Sequence, residues 1–152
     1  MGSYAFEVSR EIDAPIDRVW EYLVSHDEWR RPFIESVRKL SDGVLEVGTR
    51  YENRGKLGPR ELTLINEITE LDPPHRLGWR QVNTDAPVVT NRGTYTLEQL
   101  DDRRTRFTLS VRSTTNGLAS ILAPVMPWMA KRVMGPKLMG QLEQGIAQTQ
   151  NV

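Results

Sequence analysis

The chain has 152 residues, with 20 basic and 20 acidic side chains and no cysteine. That length suffices for one domain with its own core, spanning 1–152. Zero net charge without a basic run argues against a nucleic-acid partner, and the missing cysteine excludes disulfides, thiolate nucleophiles and cysteine metal sites.

Phe6, Val8 and Ile12 alternate with Glu7, Ser9 and Glu11, so Tyr4 to Ile12 reads as a first strand. Arg10 falls on the apolar side of that alternation. It either reaches water or a carboxylate at the strand end, or holds an anion inside a cavity. Asp13-Ala14-Pro15 opens a helix, since proline suits a first-turn position that has no partner for an N–H. Ile16, Val19, Trp20 and Leu23 form its stripe. Ser25 and Glu28 fit a capping box for a second short helix carrying Trp29 and ending by Pro32.

Strands separated by turn chemistry follow. Ile34 to Leu40 leads into the hairpin signal Asp42-Gly43. Gly48 to Gly55 places Thr49, Tyr51 and Asn53 on one face and Arg50, Glu52 and Arg54 on the other. Glu61 to Leu71 puts Leu62, Leu64, Asn66 and Ile68 together. After Pro73-Pro74, Leu77, Trp79 and Gln81 share a face. Val88 to Leu100 aligns Val89, Asn91, Gly93, Tyr95 and Leu97. Asp101-Asp102 turns into Thr105 to Ser113, where Phe107, Leu109 and Val111 alternate with polar residues.

The last fifth is oily. Leu118, Leu122, Val125, Met129 and Val133 recur at the spacing of a buried helix face, and the seam restarts after Pro136 as Met139, Leu142 and Ile146. Pro124, Pro127 and Pro136 each remove a backbone donor, which predicts a long helix that is kinked or broken. Short turns between consecutive strands imply an antiparallel meander with one covered face. The predicted fold is α+β: a curved, seven-stranded antiparallel sheet wrapped around a long, proline-kinked C-terminal helix, with two short helices between strands one and two.

This order, with Ile12, Ala14, Pro15, Val19 and Trp20, then Trp29, then Val47-Gly48-Thr49, resembles the START-like (helix-grip, SRPBCC) superfamily. Gly93, Tyr95 to Leu97 and Thr105 to Val111 continue the match, and the branch it looks most like is the polyketide cyclase/dehydrase one. The resemblance covers essentially the whole chain and implies a hydrophobic small molecule held between sheet and helix. Some members cyclise or dehydrate polyketides and others are carriers or sensors; the fold does not choose among these.

Familiar catalytic sets are missing. His26 and His75 make neither a base nor a zinc site, and no Gly-x-Ser-x-Gly elbow or phosphate-cradling glycine loop appears, so neither metal nor cofactor is expected. Polar residues in phase with apolar ones stand out instead: Asn53, Asn66, Gln81 and Asn91, with Tyr51, Tyr95 and Trp79. A buried amide without a partner costs about 1–3 kcal/mol. These residues are therefore either satisfied core amides or the lining of a wet or liganded cavity. Met126, Met129, Met134 and Met139 supply either core filling or an adaptable wall.

Tyr95 and Asn66 are the catalytic candidates, one to polarise a carbonyl and the other to hold an enolate oxygen. Arg10, Tyr51, Asn53, Trp79, Gln81, Asn91, Met126, Met129 and Val133 are the ligand-binding candidates. Two functions stay open: a polyketide-like or aromatic ligand that is cyclised or dehydrated, and non-enzymatic carriage or sensing of a lipid or quinone-like amphiphile. Pro124 to Trp128 is a candidate gate or a docking surface for a membrane or protein. No signal peptide or transmembrane stretch is read, so a cytoplasmic location is expected, as monomer or homodimer.

Overall fold

Side-chain alternation sets the strands. In β1 (Gly2–Ile12), Tyr4, Phe6 and Val8 are half-buried while Ser3, Ala5, Glu7 and Ser9 are exposed. The computed structural model describes residues 2–24, 34–40, 43–57, 59–84, 88–115, 124–129, 131–132 and 135–150. After β1 come α1 (Ile16–Val24), β2 (Ile34–Lys39), β3 (Arg50–Leu57), β4 (Arg60–Asp72), β5 (Arg76–Thr84), β6 (Val88–Asp101) and β7 (Arg104–Thr115). Two helices, α2 (Met126–Met129) and α3 (Gly135–Gln150), complete the described chain. The seven strands form one antiparallel sheet in the order β1-β7-β6-β5-β4-β3-β2. β2 to β7 are thus a meander, and β1 closes onto β7 with Ile12 opposite Thr105.

The turns follow from local chemistry. Gly48 adopts φ +96°, a conformation that side chains disfavour. The Glu46 amide donates to the Thr49 hydroxyl at 3.0 Å. Gly48 N–H then donates to the Ile68 carbonyl at 2.8 Å, docking this loop on β4. At the start of α1, the Pro15 carbonyl accepts the N–H groups of Arg18 and Val19. The wholly buried Thr105 hydroxyl donates to the Ala14 carbonyl at 2.8 Å, tying this bend to β7. The predicted second short helix, with His26 and Trp29, lies outside the described residues.

One face of the sheet is covered. Ile12, Val19, Leu23, Ile68, Leu77, Leu97, Phe107 and Leu142 are almost wholly buried in the core beneath α1 and α3. Met139, Leu142 and Ile146 supply the α3 seam at the predicted spacing. Two bulges interrupt the β4–β5 ladder, leaving Val82 and Thr69 without a register partner. They flank the pairs Asn66–Gln81 and Ile68–Trp79, and bulges of this kind bend and twist a sheet locally.

The expected long, proline-kinked C-terminal helix is not borne out as a single element. Among the described residues the stretch comprises the single turn α2, a helical turn at Lys131 and Arg132, and the 16-residue α3. Pro127 and Pro136 are each the second residue of a helix, a first-turn position where the missing N–H has no intrahelical partner. Val125, placed by spacing on the buried stripe, is 45% exposed. Leu118, Leu122 and Val133 fall outside the residues whose side chains are described.

Two glycines in α3 predict opposite outcomes. A Cβ at Gly140 meets nothing within 4 Å, whereas one at Gly145 would stand 1.9 Å from the Tyr22 hydroxyl and 2.3 Å from its Cζ. Gly140→Ala should therefore gain the intrinsic helix preference, about 0.5–1 kcal/mol. Gly145→Ala has the same gain, but displacing buried Tyr22 costs about 1–3 kcal/mol and outweighs it. Urea unfolding of the two variants should bracket the parent protein.

Candidate functional site

Register places most of the predicted site residues on the covered face. Tyr51 on β3 is opposite Asn66 on β4, and Asn66 is opposite Gln81 on β5. Asn53 is opposite Leu64, one row along. On the other half of the sheet Asn91 is opposite Ser113, and the Ser113 hydroxyl donates to Asn91 Oδ1 at 2.8 Å. The next row is Ile68, Trp79, Gly93, Val111 and Phe6. Beyond it lie Leu71, Leu77, Tyr95, Leu109 and Val8. The inner face therefore has a polar end and an apolar end, with Trp79 on the boundary.

The polar end is under-satisfied. Asn53 Oδ1, Asn66 Oδ1, Trp79 Nε1 and Gln81 Nε2 are buried and have no hydrogen-bond partner among the described residues, and neither has Gln141 Oε1 on α3. Buried polar atoms are almost always paired, so a cluster of this kind marks a place where water or a ligand bonds. Tyr51 and Tyr95 are both buried. Tyr95 packs against Phe107 with ring centroids 5.5 Å apart. No carboxylate or imidazole lies on the sheet's inner face among the described residues, and His75 is exposed in the β4–β5 turn. Among the described residues no group of histidine and acidic side chains is arranged to hold a metal.

The structure does not join the two catalytic candidates. Asn66 and Tyr95 sit on rows two steps apart, roughly 13 Å along the strands, with Trp79 between them. One ligand touching both must span that distance. Arg10 lies on the inner face opposite Phe107, at the sheet edge, where its Nε is 2.9 Å from Glu143 on α3. Its charge is thus engaged at the rim by a carboxylate. Met129 is half-buried in α2, while the side chains of Met126 and Val133 lie outside the described residues.

Sequence reading missed Gln141 and Ser113. Ser113 ended a strand and its phase with Val111 was the available signal. Gln141 reads as a solvent residue because it flanks the apolar seam. The shifted titrations lie elsewhere, at the β6–β7 turn. There the Arg103 backbone N–H and then the Arg104 guanidinium hold Asp101 below the ordinary carboxylate range, while Asp101 in turn raises Arg104.

Comparison with solved structures gives the same fold at low identity. The Zhui aromatase/cyclase from Streptomyces sp. R1128 superposes with a TM-score of 0.70 at 21% identity, covering 95% of this chain and 91% of that one. TTHA0849 from Thermus thermophilus gives 0.78 at 15% identity, covering 95% and 98%. A START superfamily protein from Mycobacterium smegmatis gives 0.75 at 12% identity, covering 96% and 99%. No functionally curated protein matches the sequence. The family model described as "Polyketide cyclase / dehydrase and lipid transport" matches residues 4–146. That match spans nearly every element from β1 to α3, and the chain belongs to the polyketide cyclase/dehydrase and lipid transport family.

Proposed function

We propose that the chain holds a hydrophobic, polyketide-like or aromatic small molecule between the inner face of the sheet and the C-terminal helices, and orients its carbonyl groups for cyclisation or dehydration. The observation that carries this reading is the cluster of buried, unpartnered atoms on Asn53, Asn66, Trp79, Gln81 and Gln141 beside a wall of Leu and Phe side chains. Aliphatic or aromatic ligand surface packs on that wall, ligand hydroxyls donate to the amide oxygens of Asn53, Asn66 and Gln141, and ligand carbonyls accept from Trp79 Nε1 and Gln81 Nε2. The family match and the aromatase/cyclase neighbour support the same ligand class. We read α2 and α3 together as the proline-interrupted rod that closes the sheet, with Met126, Met129 and Val133 as its adaptable lining.

Cyclisation of a poly-β-carbonyl chain forms a carbon–carbon bond between an enolate carbon and a carbonyl carbon. The proton lost from the first carbon is returned at the new alkoxide oxygen, and water leaves in the dehydration. The inner face brings amides and phenols to such a reaction. Their contribution is therefore to fold the ligand and hold charge on oxygen. Asn66 donates from its side-chain N–H to the enolate oxygen while its Oδ1 accepts from a ligand hydroxyl, and Tyr95 polarises a distant carbonyl, with Tyr51, Asn53, Gln81 and Asn91 fixing the remaining groups. Arg10 binds a ligand anion at the rim by exchanging Glu143 for it. Native mass spectrometry of freshly purified protein, followed by extraction, should find a hydrophobic compound and its cyclised product. A protein that neither carries nor takes up such compounds would sink the reading.

One observation favours the second reading, a carrier that collects a lipid or quinone-like amphiphile from a membrane. Trp128 is 61% exposed beside Val125, and the cations Lys131 and Arg132 are exposed one turn later. The sequence holds no acidic residue between Asp102 and Glu143. An exposed indole with nearby cations suits an anionic lipid surface. Trp128→Ser should weaken flotation with anionic vesicles about tenfold, the equivalent of one buried aromatic anchor. Unchanged flotation would remove the membrane from the account, and recovery of the ligand unaltered would select carriage over catalysis.

A further inference from the structure

The outer face of the sheet is ruled by opposite-charge pairs, with one exception. Glu52 pairs with Arg38 and Arg54, Glu70 with Arg76, Glu98 with Arg106, and Glu11 with Arg104 and Arg106. The exception is a register row in which Arg80 on β5 is opposite Arg92 on β6, and Arg92 is opposite Arg112 on β7. Arg80 has Glu67 at 3.2 Å, a carboxylate already shared with Arg50. Arg92 and Arg112 are exposed and form no ion pair with any described carboxylate. Like charges placed directly opposite destabilise a sheet. A row that accepts this cost where every neighbouring arginine avoids it calls for an anion from outside.

The surface beside the row is concave. A groove of about 640 Å³ runs along one side, bordered by the three arginines, Ser3 and Thr114 together with Gln81, Asn91 and Ser113, and no carboxylate is among the described residues around it. On the other side a groove of about 800 Å³ borders the same arginines, and there Glu7 and Lys131 offset each other. Neighbouring strands are about 4.8 Å apart, so the three guanidinium groups span roughly 10 Å. Each is a planar fork that matches the oxygens of a phosphate two at a time. A single carboxylate would neutralise only one of them, whereas a dianionic group engages two. We propose that the groove between Ser3, Thr114 and the Arg80–Arg92–Arg112 row binds a phosphomonoester or diphosphate group. The arginine row itself is on the opposite face of the sheet from the polar row, and the proposal stands on the arginines whether or not the inner-face reading does.

Titration calorimetry with inorganic pyrophosphate at low ionic strength tests it. The paired variant Arg92→Gln/Arg112→Gln should lose on the order of tenfold or more in affinity, as two charge-assisted contacts disappear. The control Arg54→Gln/Arg106→Gln removes the same charge from compensated positions and should stay within about twofold, as exposed paired charges contribute little. Without ligand, the first variant should melt at the same temperature as the parent or higher, because repulsion is relieved. Equal losses in both variants, no pyrophosphate binding by the parent, or a lower Tm in the first variant would each overturn the proposal. Flotation with phosphatidylcholine vesicles containing phosphatidic acid, run in a Trp128→Ser background, separates the sources. Flotation that depends on Arg92 and Arg112 assigns a lipid headgroup; pyrophosphate binding without flotation assigns a soluble phosphate compound. Binding of polyglutamate through these arginines in place of pyrophosphate would overturn it in favour of an acidic protein.

Discussion

Replacing Asn66 and Gln81 together by leucine is expected to stabilise the free protein by about 1–3 kcal/mol while weakening ligand binding tenfold to a hundredfold. Asn66 Oδ1 and Gln81 Nε2 are buried and unpartnered on directly opposed residues. An unpaired buried amide costs about 1–3 kcal/mol, and an apolar side chain of similar size removes that cost. Both residues are only half-buried overall, which holds the expected gain near the cost of one amide. With ligand bound the sign reverses, because each leucine forfeits a hydrogen bond to a ligand oxygen or hydroxyl. Urea unfolding measures the first effect and calorimetry with the compound recovered from the protein measures the second. A loss of stability would mean that the amides serve the core, and the site would have to be sought elsewhere. The two effects are measured separately, so a folding defect cannot imitate a binding defect.

That such opposed effects converge on Asn66 and Gln81 follows from long-range register, which shows how far the sequence could be read. Strand positions were legible because period-two alternation is local: Tyr51 with Asn53, Trp79 with Gln81, and Phe107 with Leu109 came out on the covered face as their spacing predicts. What joins Asn66 to Gln81 is the pairing of β4 with β5, and two bulges set it. Nothing at Thr69 or Val82 announces a bulge, and the quoted residues keep their phase because both bulges fall just outside them. The α3 seam at Met139, Leu142 and Ile146 was legible for the same local reason. The stretch before it was legible only in part: its prolines announced a kinked or broken rod, but its apolar spacing places Val125 on the buried stripe, and Val125 is 45% exposed. Tyr22 is a different kind of miss. It stands one residue off the Ile16–Val19–Leu23 stripe and is buried because Gly145, more than a hundred residues away, has no side chain to exclude it. Gln141 is hidden likewise, since burial of a helix flank depends on what lies beside it and not on the helix's own pattern.

Gly93→Val is expected to destabilise the protein by about 2–4 kcal/mol, although strand preference alone argues the other way. Valine fits a pleated surface better than glycine, a gain of at most about 1 kcal/mol. Against it, a Cβ at Gly93 would lie 2.6 Å from Trp79 Cζ2 and 2.8 Å from Cε2, with the Ser110 carbonyl at 3.1 Å. The carbonyl belongs to the β6–β7 ladder and cannot retreat, so the indole must. Trp79 is opposite Gly93 on one side and Ile68 on the other, and the missing side chain is what lets its ring lie across β6. Expelling it removes the boundary between the polar and apolar ends of the inner face. Ligand binding should therefore fall with stability, and tryptophan emission should shift to the red as the ring meets water. Trp79→Ala in the Gly93→Val background should recover part of the loss, since valine then fills space that the indole vacated. The coupling between the two substitutions should be about 1–3 kcal/mol. Additive effects with unchanged emission would mean that the indole does not cover β6, and the division of the inner face that orients the proposed ligand would go with it.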